Sequence, residues 1–319
     1  MRAAGNRCRS ASKSGVVQTR SPMLSRRMTR KLARVCGGIK VLIVVSAAMR
    51  VAVTGSSGFV GSALETMLIA RGHDMRKAGR GSAALNEALN GCDAVIHLAN
   101  IAHARGNRAL LWEVNVAGSR RLAEAAAAQG VRRMIYLSSI KAQSAEPGDR
   151  YGAAKLAAEK AVFDVARLTG LEVIVLRPPL VYGPRVKANF LALMAAIARG
   201  WPLPFARIAN RRSILYVYNL ADAILSCIET PRIAGKSYVV ADGAPVSTPA
   251  LCRALGEALG RPARLFPFPP ALLEVVPPLR SLTQSLVADD SAIRREVGWR
   301  PPFSFEQALR ATAQWYLAR

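Results

Sequence analysis

The sequence predicts an α/β fold built on a doubly wound parallel sheet, and three observations carry that expectation. Apolar strand-like runs alternate with amphipathic helical stretches from Val51 to Leu176. The first of these runs passes through a glycine-rich turn straight into a helix. With 319 residues, 51% of them hydrophobic and 20% charged, the chain can bury the core that such a sheet requires.

Val51–Thr54 reads as a short buried strand, and Phe59–Arg71 has the apolar spacing of a helix. A second strand is expected around His73–Ala78 and a further one at Ala94–Leu98. A helix near Leu110–Gln129, a strand Met134–Leu137, a helix Tyr151–Thr169 and a strand Val173–Leu176 complete the alternation. The turn signals Glu146–Asp149 and Tyr182–Pro184 close the units.

Between the first strand and helix stand Gly55, Gly58 and Gly61. Gly55 allows the sharp turn, Gly58 lets a pyrophosphate approach the backbone, and Gly61 lets the helix pack closely. The helix start offers unpaired N–H groups and a positive dipole end to phosphates, which points to a dinucleotide site. No acid ends the second strand; Arg76, Lys77 and Arg80 stand there instead. A cation at that place accepts a 2′-phosphate, so NADP is favoured over NAD, the alternative being solvated loop cations.

The net charge of +25 raises the question of nucleic acid. Residues 1–48 carry eight Arg and three Lys without an acid, and the remaining excess is dispersed. No RNA-binding or helix-turn-helix signature accompanies it, so an anionic small molecule is the simpler partner. The basic, Ser-rich stretch before Met49 has three readings: a start placed upstream of the true one, a targeting segment, or a basic arm. It is excluded from the fold. The apolar run Val41–Met49 is nine residues long, against about 20 for a bilayer span, so no stable membrane insertion is expected. Five scattered cysteines and three histidines show no metal-ligand spacing; no metal is expected, and the cysteine usage suits the reducing cytoplasm.

The reaction chemistry rests on Tyr151-Gly-Ala-Ala-Lys155. Residues four apart share a helix face, so the Lys155 ammonium is expected beside the Tyr151 phenol, lowering its pKa toward acid–base range. Ser138 and Ser139 close the preceding strand at its carboxyl end, where open α/β sheets hold their ligands.

From Met49 onward the chain resembles the extended short-chain dehydrogenase/reductase family, the NAD-dependent epimerase/dehydratase group. The resemblance lies in TGSSGFVG, DAVIHLAN, NVAGS, YLSSI, YGAAK and LRPPLVYGP, met in that order. It implies a Rossmann-like domain over 49–183 and a small C-terminal substrate domain over 184–319, with segments returning to the first. It also implies Tyr151 as acid/base, Lys155 as its orienter and a ribose ligand, and Ser139 as polariser of the substrate carbonyl. Gly55, Ser57, Gly58, Phe59, Val60, Gly61, Arg80, Ala99, Asn115, Lys155 and Pro178 would contact NAD or NADP, and a homodimer is expected. Two departures stand out. Only 12 residues separate Arg80 from Asp93, so the third strand is shortened or missing, and Asn100 replaces a common Ala.

By the same resemblance Asn189 and Arg212 would hold the diphosphate of a UDP-sugar, with Arg211 as a weaker candidate, and Arg280 and Tyr182 are weaker candidates for the sugar site. A guanidinium supplies the planar fork of donors that phosphate oxygens accept. The stretches YLSSIKAQ, KANFL and NRRS are most similar to enzymes that reduce carbon 4 of UDP-4-keto-6-deoxy-N-acetylhexosamines in polysaccharide assembly. A UDP-sugar 4-epimerase with tightly held NAD would use the same residues, and a non-catalytic NADP-binding regulator is the remote alternative. Trp299 and Trp315 read as packing residues.

Overall fold

The computed structural model describes residues 29–34, 40–45, 48–79, 81–101, 108–143 and 148–319. The chain divides at Ala48 into two units. In the first, strands β1 (Thr29–Arg34) and β2 (Lys40–Val45) pair antiparallel, Thr29 opposite Val45. The sequence pattern predicts no element there. The β-branched run ending at Val45 supplies one strand and the preceding Thr29–Arg34 segment its partner.

The second unit opens with β3 (Arg50–Thr54), α1 (Phe59–Ala70), β4 (Asp74–Ala78), α2 (Ser82–Leu89) and β5 (Ala94–His97). Helix α3 (Arg108–Trp112) passes through a π-helical stretch, Glu113–Ala117, into α4 (Gly118–Ala128), so the single helix expected near Leu110–Gln129 is interrupted. Then come β6 (Arg133–Leu137), α5 (Arg150–Thr169), β7 (Glu172–Arg177), β8 (Leu180–Tyr182), α6 (Ala188–Ala198), β9 (Ile214–Tyr216), α7 (Val217–Glu229) and β10 (Lys236–Val239). Helices α8 (Thr248–Ala258), α9 (Pro270–Glu274), α10 (Pro277–Thr283), α11 (Ser291–Glu296) and α12 (Phe305–Leu317) complete the chain.

Six strands form a wholly parallel sheet in the order β10-β7-β6-β5-β3-β4. Strands β5 and β6 are buried along their whole length, as expected of central parallel strands covered on both faces. Alternation decides the faces. Val51, Val53, Ile96, Ile135 and Ile174 pack with Leu64 and Leu68 of α1 and with the buried face of α7. Ala52, Val95, Met134, Val173 and Val175 pack with Leu89 of α2, Leu122 and Ala126 of α4, and Val162 and Val165 of α5. That is a doubly wound sheet, and the topological switch lies where β4 and β5 flank β3.

Between β4 and β5 the described residues form α2 alone, and β4 is the sheet edge. The third strand is therefore absent among the described residues, as the spacing predicts. A third apolar cluster gathers Tyr182, Phe190, Leu193 and Met194 with Leu251, Leu255 and Leu309 of α8 and α12. Trp299 is buried and donates to Asp222 at 2.9 Å, while Trp315 packs against this third cluster.

Candidate active site

The carboxyl ends of β3, β5, β6 and β7 share one edge of the parallel sheet. At the first of them the chain turns through Gly55, whose φ is +71°. A Cβ at Gly55 would stand 2.8 Å from the Ala99 nitrogen, so only glycine brings the turn against the segment after β5. A Cβ at Gly61 would stand 2.4 Å from the carbonyl oxygens of both Gly55 and Ser56. Gly61 thus lets α1 press on the turn itself. Helix α1 starts at Gly58 with no side-chain cap, which leaves the N–H groups of Phe59, Val60 and Gly61 without intrahelical acceptors. Gly58 and Ser57 are exposed, Phe59 and Val60 half-buried. A turn whose only side chains are those of Ser56 and Ser57, before an uncapped helix end, fits the pyrophosphate of a dinucleotide.

At the end of β6 two adjacent serines part ways. Ser138 is buried and gives its hydroxyl to Glu159. Ser139 is half-buried and caps a 3₁₀ turn, Ile140–Ala142, its Oγ accepting from the Lys141 N–H at 3.3 Å. Among the described residues its own hydroxyl proton has no acceptor. Helix α5 then opens on Asp149, whose carboxylate accepts from the N–H groups of Tyr151 at 3.1 Å and Gly152 at 3.0 Å. A Cβ at Gly152 would stand 2.6 Å from the Lys141 carbonyl, so this glycine sets the start of α5, where Tyr151 stands, against the 3₁₀ turn.

Tyr151, Lys155 and Glu159 follow each other at helical spacing along α5. Lys155 is fully buried; its Nζ donates to the Leu137 carbonyl at 2.8 Å and to the Tyr136 hydroxyl at 3.4 Å, and makes no hydrogen bond with Tyr151. Burial pulls the ammonium down to about 7, against the opposing charge of Glu159. The phenol of Tyr151 is pushed up to about 12, by burial first and by Asp149 second. The expectation of a phenol pKa lowered by Lys155 is thereby corrected for the free protein. The buried ammonium is drawn to the nearest carbonyl acceptor, because an unpaired buried charge is costly.

Beneath these residues runs a polar chain that sequence reasoning did not find. The Ala99 N–H donates to the Thr54 hydroxyl at 3.4 Å, Thr54 to His97 Nδ1 at 2.6 Å, and His97 Nε2 to Ser119 at 2.9 Å. Ser119 passes on to the Asn115 carbonyl at 2.6 Å, which fixes this direction of donation. His97 is buried and held neutral, its pKa lowered to about 3 by burial and then by the Lys155 charge. Asn115 lies in the π-helical stretch, and its amide clamps Ile101, accepting from the N–H at 2.9 Å and donating to the carbonyl at 2.8 Å. Its side chain is therefore committed to the segment after β5. A His inside a buried apolar strand was the signal available in the sequence.

The remaining predicted residues fall as follows. Pro178 is buried, and its carbonyl accepts from the Ile140 N–H at 2.9 Å. Arg80 lies outside the described residues. Arg76 donates to the Asn90 carbonyl at 2.8 Å, and the exposed Lys77 pairs with Glu65 at 2.9 Å. Strand β8 pairs parallel with β9, Leu180 opposite Ile214, which sets Arg212 at the Pro178 end of that pair. Arg212 is half-buried, donates to the Gln284 carbonyl at 2.9 Å and forms no ion pair among the described residues. Asn189 is exposed in the first turn of α6, and Arg211 and Arg280 are exposed. Tyr182 is corrected: it is fully buried and stacks on Phe190 at 5.3 Å, a core residue with no route to a sugar.

Residues 51–241 match the sequence profile of the NAD dependent epimerase/dehydratase family. A UDP-glucose 4-epimerase of Vibrio cholerae is 33% identical over 309 residues, covering 83% of this chain and 94% of the relative. Among solved structures, the UDP-N-acetylglucosamine 4-epimerase of Bacillus cereus superposes with a TM-score of 0.72 at 20% identity, over 85% of this chain and 99% of that one. The UDP-glucuronic acid 4-epimerase of the same organism, in complex with NAD, gives 0.70 at 18% identity, over 85% and 99%. The same central sheet is common to them.

Proposed function

Because the chain belongs to the NAD-dependent epimerase/dehydratase family, we propose that it is an oxidoreductase acting at carbon 4 of a UDP-linked sugar, with Tyr151 as the proton carrier. The observation that supports this reading is the packing of the first turn of α5, which carries Tyr151, against the 3₁₀ turn that Ser139 caps, a contact that Gly152 allows. When bound at the glycine turn, the nicotinamide cofactor supplies or takes up the hydride.

The chain's own residues do the rest. Ser139 donates its hydroxyl proton to the sugar oxygen and holds it. Tyr151, at hydrogen-bond reach of that oxygen, gives its proton as the alkoxide forms or receives it on oxidation. Lys155, one helical turn along α5 from Tyr151, offers a donor for the cofactor ribose. The first-turn N–H groups of α1 bind the pyrophosphate, with Gly55, Ser57, Gly58, Phe59, Val60 and Gly61 as its cradle and Ala99, Asn115 and Pro178 as its neighbours. Arg212, half-buried and without an acidic partner among the described residues, takes the UDP diphosphate with Asn189, so that residues 184–319 act as the substrate region. Assembly is as a homodimer in the cytoplasm.

Two directions of use compete. The 4-epimerase reading is favoured by the Vibrio cholerae relative. The 4-keto reductase reading is favoured by the stretches YLSSIKAQ, KANFL and NRRS. Either NAD or NADP serves, and Arg80 is a candidate for selecting the phosphate. Incubation of the purified protein with UDP-hexoses, and separately with UDP-4-keto sugars plus NADH or NADPH, tests the reading. Interconversion of hexoses without net cofactor use identifies an epimerase, and oxidation of added cofactor a reductase. Failure to bind UDP-sugars at all, with cofactor binding intact, overturns the substrate class.

A further inference from the structure

Glu159 is 2% exposed, yet it carries a carboxylate and lies outside every role assigned so far. Ser138 donates to one of its oxygens, and Arg177 donates through Nε at 3.0 and 3.2 Å and through Nη2 as well. These two partners sit at the ends of β6 and β7, immediately before Ser139 and Pro178. The backbone repeats the same link: the Ser138 N–H donates to Leu176 at 2.8 Å and the Ile140 N–H to Pro178 at 2.9 Å. One helical turn back on α5 stands Lys155. The charged and titratable groups facing that ammonium are His97 from β5, Tyr136 from β6, and Tyr151 and Glu159 from its own helix. Burial lowers the pKa of His97 and raises those of both phenols, so Glu159 is the one carboxyl group in this set.

We propose that Glu159 is a positioning residue of the site: its buried carboxylate ties the β6 and β7 ends together and holds the Lys155 ammonium charged for the cofactor. The inference rests on the cofactor role given above to Lys155. Burial works toward a neutral amine at about pH 7, and the carboxylate opposes it. Arg177 shares that carboxylate, so its own charge weakens the support that Lys155 receives. The two neighbours must therefore act with opposite sign.

The test is the dissociation constant of NADH, read by its fluorescence with the full chain from pH 6 to 10. In the wild type, binding weakens as pH rises through the Lys155 titration near pH 7, by about tenfold for a lost charge-assisted hydrogen bond. Glu159→Gln keeps the shape and removes the charge, and its break moves to lower pH by about one unit or more. Arg177→Met moves the break to higher pH. A Glu159→Gln curve that coincides with the wild type overturns the proposal. Where that variant yields no folded protein, an unmoved Arg177→Met curve does so. Lys155→Met separates the two levels of argument. A break that survives in it overturns the cofactor role of Lys155 and the inference with it. A break lost in Lys155→Met but unmoved in Glu159→Gln overturns the inference alone.

Discussion

Two helices begin at the same edge of the central sheet, and they begin in opposite ways. Helix α1 starts at Gly58 with no side chain to accept its first N–H groups. Helix α5 starts at Asp149, whose carboxylate takes the N–H groups of Tyr151 and Gly152 and also pairs with Lys141 at 3.2 Å. Each start is pressed against a neighbour by one glycine, Gly61 in α1 and Gly152 in α5. The glycines have the same task, close backbone approach, while the caps have opposite ones. An uncapped end keeps its donors for a ligand. A capped end satisfies them internally and fixes the first turn, which is where Tyr151 stands. Binding needs an unsatisfied terminus, whereas acid–base chemistry needs a rigid one.

The largest expected effect lies on the capped side. Tyr151→Phe keeps the ring and the cap but removes the transferable proton, so turnover of the substrate should fall by about 10²–10⁴-fold. Cofactor affinity and thermal stability should stay near the wild-type values. Turnover within twofold of wild type would place the proton carrier elsewhere.

Next comes the glycine under the open end. Gly61→Ala sets a methyl 2.4 Å from two carbonyl oxygens, so α1 must move away from the turn. Overpacking of this kind costs about 1–3 kcal/mol. A lower Tm should accompany weaker NADH binding, while the α5 end stays intact. Unchanged binding would show that the pyrophosphate does not use this turn.

A smaller loss is expected from the cap itself. Asp149→Ala should cost about 0.5–2 kcal/mol of stability and lower turnover more than cofactor affinity, because it loosens Tyr151 and leaves α1 alone. Equal losses in both would contradict the division between the two helix starts.

The smallest effect sharpens the comparison most. Gly58→Ser gives α1 the kind of cap that α5 has, at a residue whose φ of −74° is open to side chains but whose Cβ would stand 3.1 Å from the Gly55 carbonyl. The stability of the free protein should change by only a few tenths of a kcal/mol, and NADH binding should weaken. A variant that binds NADH more tightly would mean that the first-turn N–H groups are not the phosphate ligands.

Most of the fold was legible in the sequence, because its strands are short, buried and separated by strongly periodic helices. Local spacing located β3, β5, β6 and β7 to within about two residues, as boundary uncertainty allows. The missing strand between Arg80 and Asp93 was a matter of chain length, and length is visible in one dimension. Gly55, Gly61, Tyr151 and Lys155 were legible because their spacing encodes a turn and a helix face. The ladder of Thr29–Arg34 with Lys40–Val45 was not, since a pairing of two weak segments has no local signature.

What only the tertiary structure decided is where charge and donors are spent. In sequence, Arg76 and Lys77 are cations at a strand end; in space the Asn90 carbonyl and Glu65 engage them. Ser138 and Ser139 are neighbours of the same type, and the pleat of β6 sends one to Glu159 and leaves the other half-exposed. Tyr182 sits in a motif beside the site, and packing against Phe190 puts it in the core. Lys155 and Tyr151 share a helix face, as spacing requires, but burial governs their protonation. Spacing along a chain determines which side chains can meet. Desolvation and competing partners, which depend on segments distant in sequence, determine what each one does there.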